Sequence, residues 1–113
     1  MVKRMKKIDV LGTEYTIEIK NREDDELLEK CDGYCDKTTK RIVVLEKTEH
    51  EELGIFEEYQ KKVIRHEIVH AFLFESGLHE CMNHEDGHDE QMVDWIAVQS
   101  PKLFKVFEEA DCL

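Results

Sequence analysis

Three residues within five positions could do chemistry together. In Arg65-His66-Glu67-Ile68-Val69-His70 two imidazoles stand four apart, and a carboxylate follows the first. Residues four apart on an α-helix share a face, so His66 and His70 can converge on one metal ion. Glu67 is turned from His66 by about 100°. It is too far round to be an equivalent ligand, but it can reach a water on that metal. Neutral imidazoles suit Zn2+, and a third protein ligand leaves a fourth position for water. The spacing therefore predicts zinc-dependent hydrolysis with Glu67 as the general base. By composition alone such a run arises in roughly one chain of this kind in twenty. Its surroundings argue against accident. Val63, Ile64, Ile68, Val69, Ala71, Phe72, Leu73 and Phe74 wrap the helix, which predicts burial on most sides. Polar and charged groups buried there cost several kcal/mol unless paired or coordinated.

The third ligand must lie elsewhere in the chain. His79, Glu80, His84, Glu85, Asp86, His88, Asp89, Glu90 and Asp94 all follow the motif. Glu90 and Asp94 stand out because they share one face of the next expected helix. Glu90 can bind the metal while Asp94 accepts an imidazole N–H, the kind of partner metal-bound histidines need. Met92, Val93, Trp95 and Ile96 are expected to dock that helix on the first. His79, His84 and His88 remain alternatives for the third ligand. With Tyr34 they are also candidates to stabilise an oxyanion.

The elements that must position these groups read as strands first and helices second. Lys6 to Val10 and Glu14 to Lys20 flank a turn at Leu11-Gly12-Thr13. Tyr15, Ile17 and Ile19 alternate with Thr16, Glu18 and Lys20, the period of a half-buried strand. An acidic stretch, Glu23 to Glu29, is a short helix or a loop. Tyr34-Cys35 and Arg41 to Leu45 form a second hairpin around Asp36 to Lys40. The run Ile42 to Leu45 is apolar throughout, as in a strand covered on both faces. Thr48 and Glu51 fit a capping box. A helix then runs from about Phe56 to Ser76 and ends at Gly77. Residues 78–88 read as a loop, followed by a helix from Asp89 to Gln99. Ser100-Pro101 is expected to cap and restart a final helix to Ala110. The order predicts an α+β fold, with a small N-terminal sheet packed on the active-site helix and one or two C-terminal helices.

Bulk properties narrow the function further. The chain has 113 residues, enough for a single domain over 1–113 with one modest core. Its formal net charge of -11 opposes nucleic acid as a partner. Lys3, Arg4, Lys6 and Lys7 read as a solubilising strand edge. No apolar run suggests a secretory signal or a membrane span, so a cytoplasmic protein is expected. Cys31, Cys35, Cys81 and Cys112 are then expected as thiols. A structural zinc site built on Cys31, Cys35 and Cys81 is a competing reading with looser spacing.

With these residues in view a resemblance emerges. His66-Glu67-x-x-His70 followed by Glu90-x-x-x-Asp94 resembles the core of gluzincin-type metallopeptidases. The length and the strand-then-helix order are similar to the small ImmA/IrrE-like metallopeptidases of phages and mobile elements. The resemblance implies a minimal zincin fold, Zn2+ held by both histidines and a downstream carboxylate, and cleavage of a regulatory protein. The expected partner is thus a protein or peptide substrate. The competing function is a zinc-binding interaction module of a mobile element that cuts nothing. An edge strand at residues 41–45 or 34–36 is expected to hold the peptide by backbone pairing.

Overall fold

The structure is a computed structural model that describes residues 4–46, 54–81 and 89–113. It is an α+β fold: a four-stranded sheet with helices on one face. Strand β1 (Arg4–Val10) turns back into β2 (Thr13–Lys20) through Leu11 and Gly12, both at positive φ. Glycine holds the more extreme of the two at +92°, where a Cβ would be strained. A short 3-10 turn, Glu26–Glu29, leads to β3 (Gly33–Asp36) and the hairpin partner β4 (Arg41–Leu45). Asp36 shapes that turn by accepting from the backbone N–H groups of Thr38 and Thr39. Side-chain bonds from Thr38 and Thr39, with these backbone bonds adding, hold its carboxyl down at about 2.

The strand order is β1-β2-β4-β3, with β4 parallel to β2 and antiparallel to β3. The continuous apolar run is thus an interior strand. Ile42 and Val44 face the main core, and Val43 and Leu45 face Leu28 and Tyr34 behind the sheet. This overturns residues 41–45 as a peptide-binding edge, since β4 is bonded on both sides. Lys6 and Lys7 lie exposed on β1 at the opposite edge, where charge discourages further strand pairing.

Helix α1 (Phe56–Glu75) crosses the sheet. Its N-cap, Ile55, makes no side-chain cap bond, and the expected capping box at Thr48 and Glu51 lies outside the described residues. It ends where expected, at Ser76 and a Gly77 of φ +86°. Only Phe56, Val63, Glu67 and Ala71 are buried, and Phe72 is 40% exposed. Burial on most sides was too strong an expectation, because the sheet covers one stripe and α3 another. The segment after Gly77 is not all loop: Leu78–Cys81 forms a short helix, α2. The two expected C-terminal helices are one, α3 (Glu90–Glu109), which runs through Pro101 without a break. No helix among the described residues is long and apolar enough to cross a membrane.

Candidate metal centre

The middle of α1 faces the N-terminal turns of α3, and the site lies between them. His66 and His70 are one turn apart, with ring centroids separated by 4.9 Å. Their Nε2 atoms approach to 3.1 Å. Asp89 caps α3 by accepting from Gln91 N–H at 2.8 Å, which starts the helix with Glu90 turned toward both rings. Glu90 Oε1 lies 2.5 Å from His70 Nε2, and Oε2 lies 3.2 Å from His66 Nε2. The three residues offer ligand atoms all within 4.8 Å of one another and could hold a metal ion. No other such group occurs among the described residues.

The donor set fits a small divalent ion. Zinc sits about 2.0–2.1 Å from nitrogen and oxygen ligands, which places tetrahedral ligands about 3.3 Å apart. Two of the three separations, 3.1 and 3.2 Å, are close to that spacing, and the third, His70 to Glu90 at 2.5 Å, is tighter, as in a direct hydrogen bond. To act as a ligand, each imidazole needs one nitrogen free of hydrogen. Asp94 supports this arrangement. Its Oδ1 lies 3.2 Å from His66 Nδ1, so a proton held there leaves Nε2 with its lone pair toward the cluster. Lys62 bonds the same oxygen at 3.1 Å. Together Lys62 and His66 hold the Asp94 carboxyl below its usual range.

Glu67 is the polar group most enclosed by the fold here, at 7% exposure. It stands outside the ligand trio but lines the same cavity of about 400 Å3 as His66, His70 and Glu90. Burial pushes its carboxyl up to about 7, with His66 opposing the shift and Glu90 adding to it. A carboxyl poised near neutrality can both accept and return a proton.

Other expected site residues fall elsewhere. Glu80 pairs with Lys37 at 3.3 Å, and Asp89 serves as the helix cap. His79 meets the Phe74 ring edge-on at 4.6 Å, beyond the cluster. His84, Glu85, Asp86 and His88 lie outside the described residues. Tyr34 is a poor oxyanion donor, because its ring packs behind the sheet and its hydroxyl donates to Asp25. The four cysteines are free thiols. They do not gather into a metal cluster, and burial pushes the Cys35 thiol up to about 12.

Sequence reasoning missed the wall opposite the ligands. Cys31, Gly33, Tyr34 and Cys35 close the cavity from the β3 side, with Phe74 at one end. Gly33 faces α1 so closely that an added Cβ would lie 2.7 Å from Val63 Cγ1 and 3.6 Å from Glu67 Cγ. Only the sheet order could have revealed this, by making β3 the edge beside the helix. Compared with known proteins, the chain matches no family model, no curated sequence and no solved structure. What fold and site define together is therefore a class: a small α+β protein with a His-His-Glu group competent to hold a metal ion.

Proposed function

We propose that the chain is a zinc-dependent metallopeptidase in which His66, His70 and Glu90 hold the metal and Glu67 is the general base. One observation carries this reading: the trio converges with ligand spacing while Glu67 lines the same cavity without joining it. A zinc ion there would act as a Lewis acid, lowering the pKa of a water and polarising the scissile carbonyl. The chain's own residues do the rest. Glu67 takes a proton from the attacking water and returns it to the leaving nitrogen. Asp94 fixes the His66 ring and its tautomer.

The outer edge of β3, unpaired with another strand among the described residues, supplies a track for the peptide. Leu45 N–H donates to Asp32 O, so the facing pairs that exchange backbone bonds include Tyr34 with Val43. Antiparallel ladders alternate, which leaves the N–H and C=O groups of Gly33 and Cys35 turned outward. A peptide bonded to them, taking the Gly33 N–H from the Cys31 sulfur, would lie extended beside Glu67. The resemblance to gluzincins and to the ImmA/IrrE-like metallopeptidases favours a regulatory protein as substrate. Zinc suits such a two-imidazole, one-carboxylate set, and Glu67 beside it supplies the base that zinc-promoted hydrolysis uses.

The experiment compares metal content and peptide hydrolysis across variants. Wild type is expected to carry one zinc per chain, and His66→Ala, His70→Ala or Glu90→Ala to lose most of it. Glu67→Gln is expected to keep the zinc and lose hydrolysis by at least about a hundredfold. Hydrolysis that survives Glu67→Gln would refute the assigned base. Zinc retained in the His66→Ala variant would refute the site.

A further inference from the structure

We propose that a second hollow, adjoining the metal cavity, seats a bulky apolar side chain of the substrate, an aromatic one above all, and so selects which peptide bonds are presented. This deepens the metallopeptidase reading and rests on it. The hollow measures about 440 Å3, and Leu27, Lys37, Phe74 and His79 are among its walls. Tyr34, Cys35 and Phe74 border both cavities, so the two lie side by side at β3.

Distance links the hollow to the chemistry. The Phe74 ring stacks on His70 with centroids 6.2 Å apart and planes 21° apart. An extended chain advances about 3.3 Å per residue, and side chains on one face recur about every 6.6 Å. A peptide whose carbonyl meets the metal cavity would therefore place a side chain one or two residues away over Phe74.

The walls favour an apolar guest. Leu27 is 52% exposed and lines the hollow. Phe74 and His79 already meet edge to face, and an aromatic guest can extend that arrangement. Charged guests fare worse. Lys37 Nζ stands 5.2 Å from the Phe74 ring centroid, which disfavours a lysine or arginine. Its charge is already engaged by Glu80 at 3.3 Å, so a carboxylate gains little from it. Asp36 and Thr38 line the hollow too, but the Asp36 carboxylate already accepts from Thr38 and Thr39, so a cation gains little from it either.

Hydroxamates test this directly, because they bind through the metal and their side chain can be varied. On the zinc-loaded full chain, a benzyl-bearing hydroxamate is expected to bind about tenfold tighter than acetohydroxamate, and about tenfold tighter than a carboxymethyl analogue. Leu27→Asp, at an exposed position that should not disturb folding, is expected to cut the benzyl advantage below about threefold. Phe74→Ala should do the same. If acetohydroxamate binds and the benzyl group adds nothing, the hollow is not a side-chain site, while the metal centre stands. If the benzyl advantage survives both substitutions, the guest sits elsewhere and the assignment is overturned. If zinc is bound but neither hydroxamate binds, the metallopeptidase reading fails and this inference fails with it.

Discussion

Gly33 shapes the site through the side chain it lacks. A methyl group at this position would meet Val63 Cγ1 at 2.7 Å and the Val43 carbonyl oxygen at 3.3 Å. Valine is stiff at χ1 and cannot swing aside cheaply. Gly33→Ala is therefore expected to push β3 and α1 apart and to cost about 1–3 kcal/mol, read as a lower urea midpoint. Val63→Ala in the same chain should relieve part of the clash, so the double variant should be more stable than the two separate costs predict. Strict additivity would show that the approach of β3 to α1 is not what Gly33 provides. The contrast with the candidate ligands is instructive. His66 and His70 were legible because their relation is local, one turn of one helix. Glu90 and Asp94 were legible for the same reason, since they share a face of α3. Gly33 was not, because its role depends on the meeting of a strand and a helix about thirty residues apart in sequence.

Among the elements, α3 departs furthest from expectation, and Pro101 explains how. Proline has no N–H, so a helix that contains it leaves the carbonyl four residues earlier without its usual donor. That carbonyl belongs to Ala97, and Arg65 Nε on α1 donates to it at 2.5 Å. The guanidinium supplies from outside the bond that Pro101 cannot, and α3 continues to Glu109. Ser100-Pro101 looked like a cap and restart because local chemistry said nothing of a donor on another helix. Arg65→Met should leave the Ala97 carbonyl unsatisfied and cost about 1–3 kcal/mol. Adding Pro101→Ala should recover most of that loss, since position 101 regains an N–H for the same carbonyl. Failure of Pro101→Ala to rescue Arg65→Met in thermal unfolding would show that Arg65 acts by another route. The docking face was misjudged for a related reason. Glu90 and Asp94 point at the histidines, so the buried stripe of α3 runs through Val93 and Ala97. Met92 and Trp95 fall about 100° or more away from that stripe and stay 56% and 55% exposed.

At the scale of the whole molecule, the sheet and α1 form the unit that composition and periodicity foretold, and α3 is an appendage to it. Apolar alternation in β2 and the unbroken run in β4 fixed the strands, because those patterns report burial directly. The order β1-β2-β4-β3 was not legible, since no local signal says which edge a hairpin joins. Among the described residues α3 packs chiefly on α1. Arg65 to Ala97, Lys62 to Asp94, and the contacts of His66 and His70 with Glu90 bridge the two helices. A zinc ion at the trio would add a joint between α1 and the first turn of α3. Binding to the folded state alone stabilises by about 2.7 kcal/mol at a hundredfold excess over Kd. The gain should be felt where the joint is made. Zinc added to chelator-stripped protein should slow amide hydrogen exchange in residues 91–97 of α3, while β2 and β4 exchange as before. Glu90→Gln should abolish that response, because the carboxylate is the ligand that α3 contributes. Equal protection of sheet and helix, or protection that persists in Glu90→Gln, would mean that the ion stabilises the molecule without tying α3 to α1. The two-helix metal centre would then have to be abandoned.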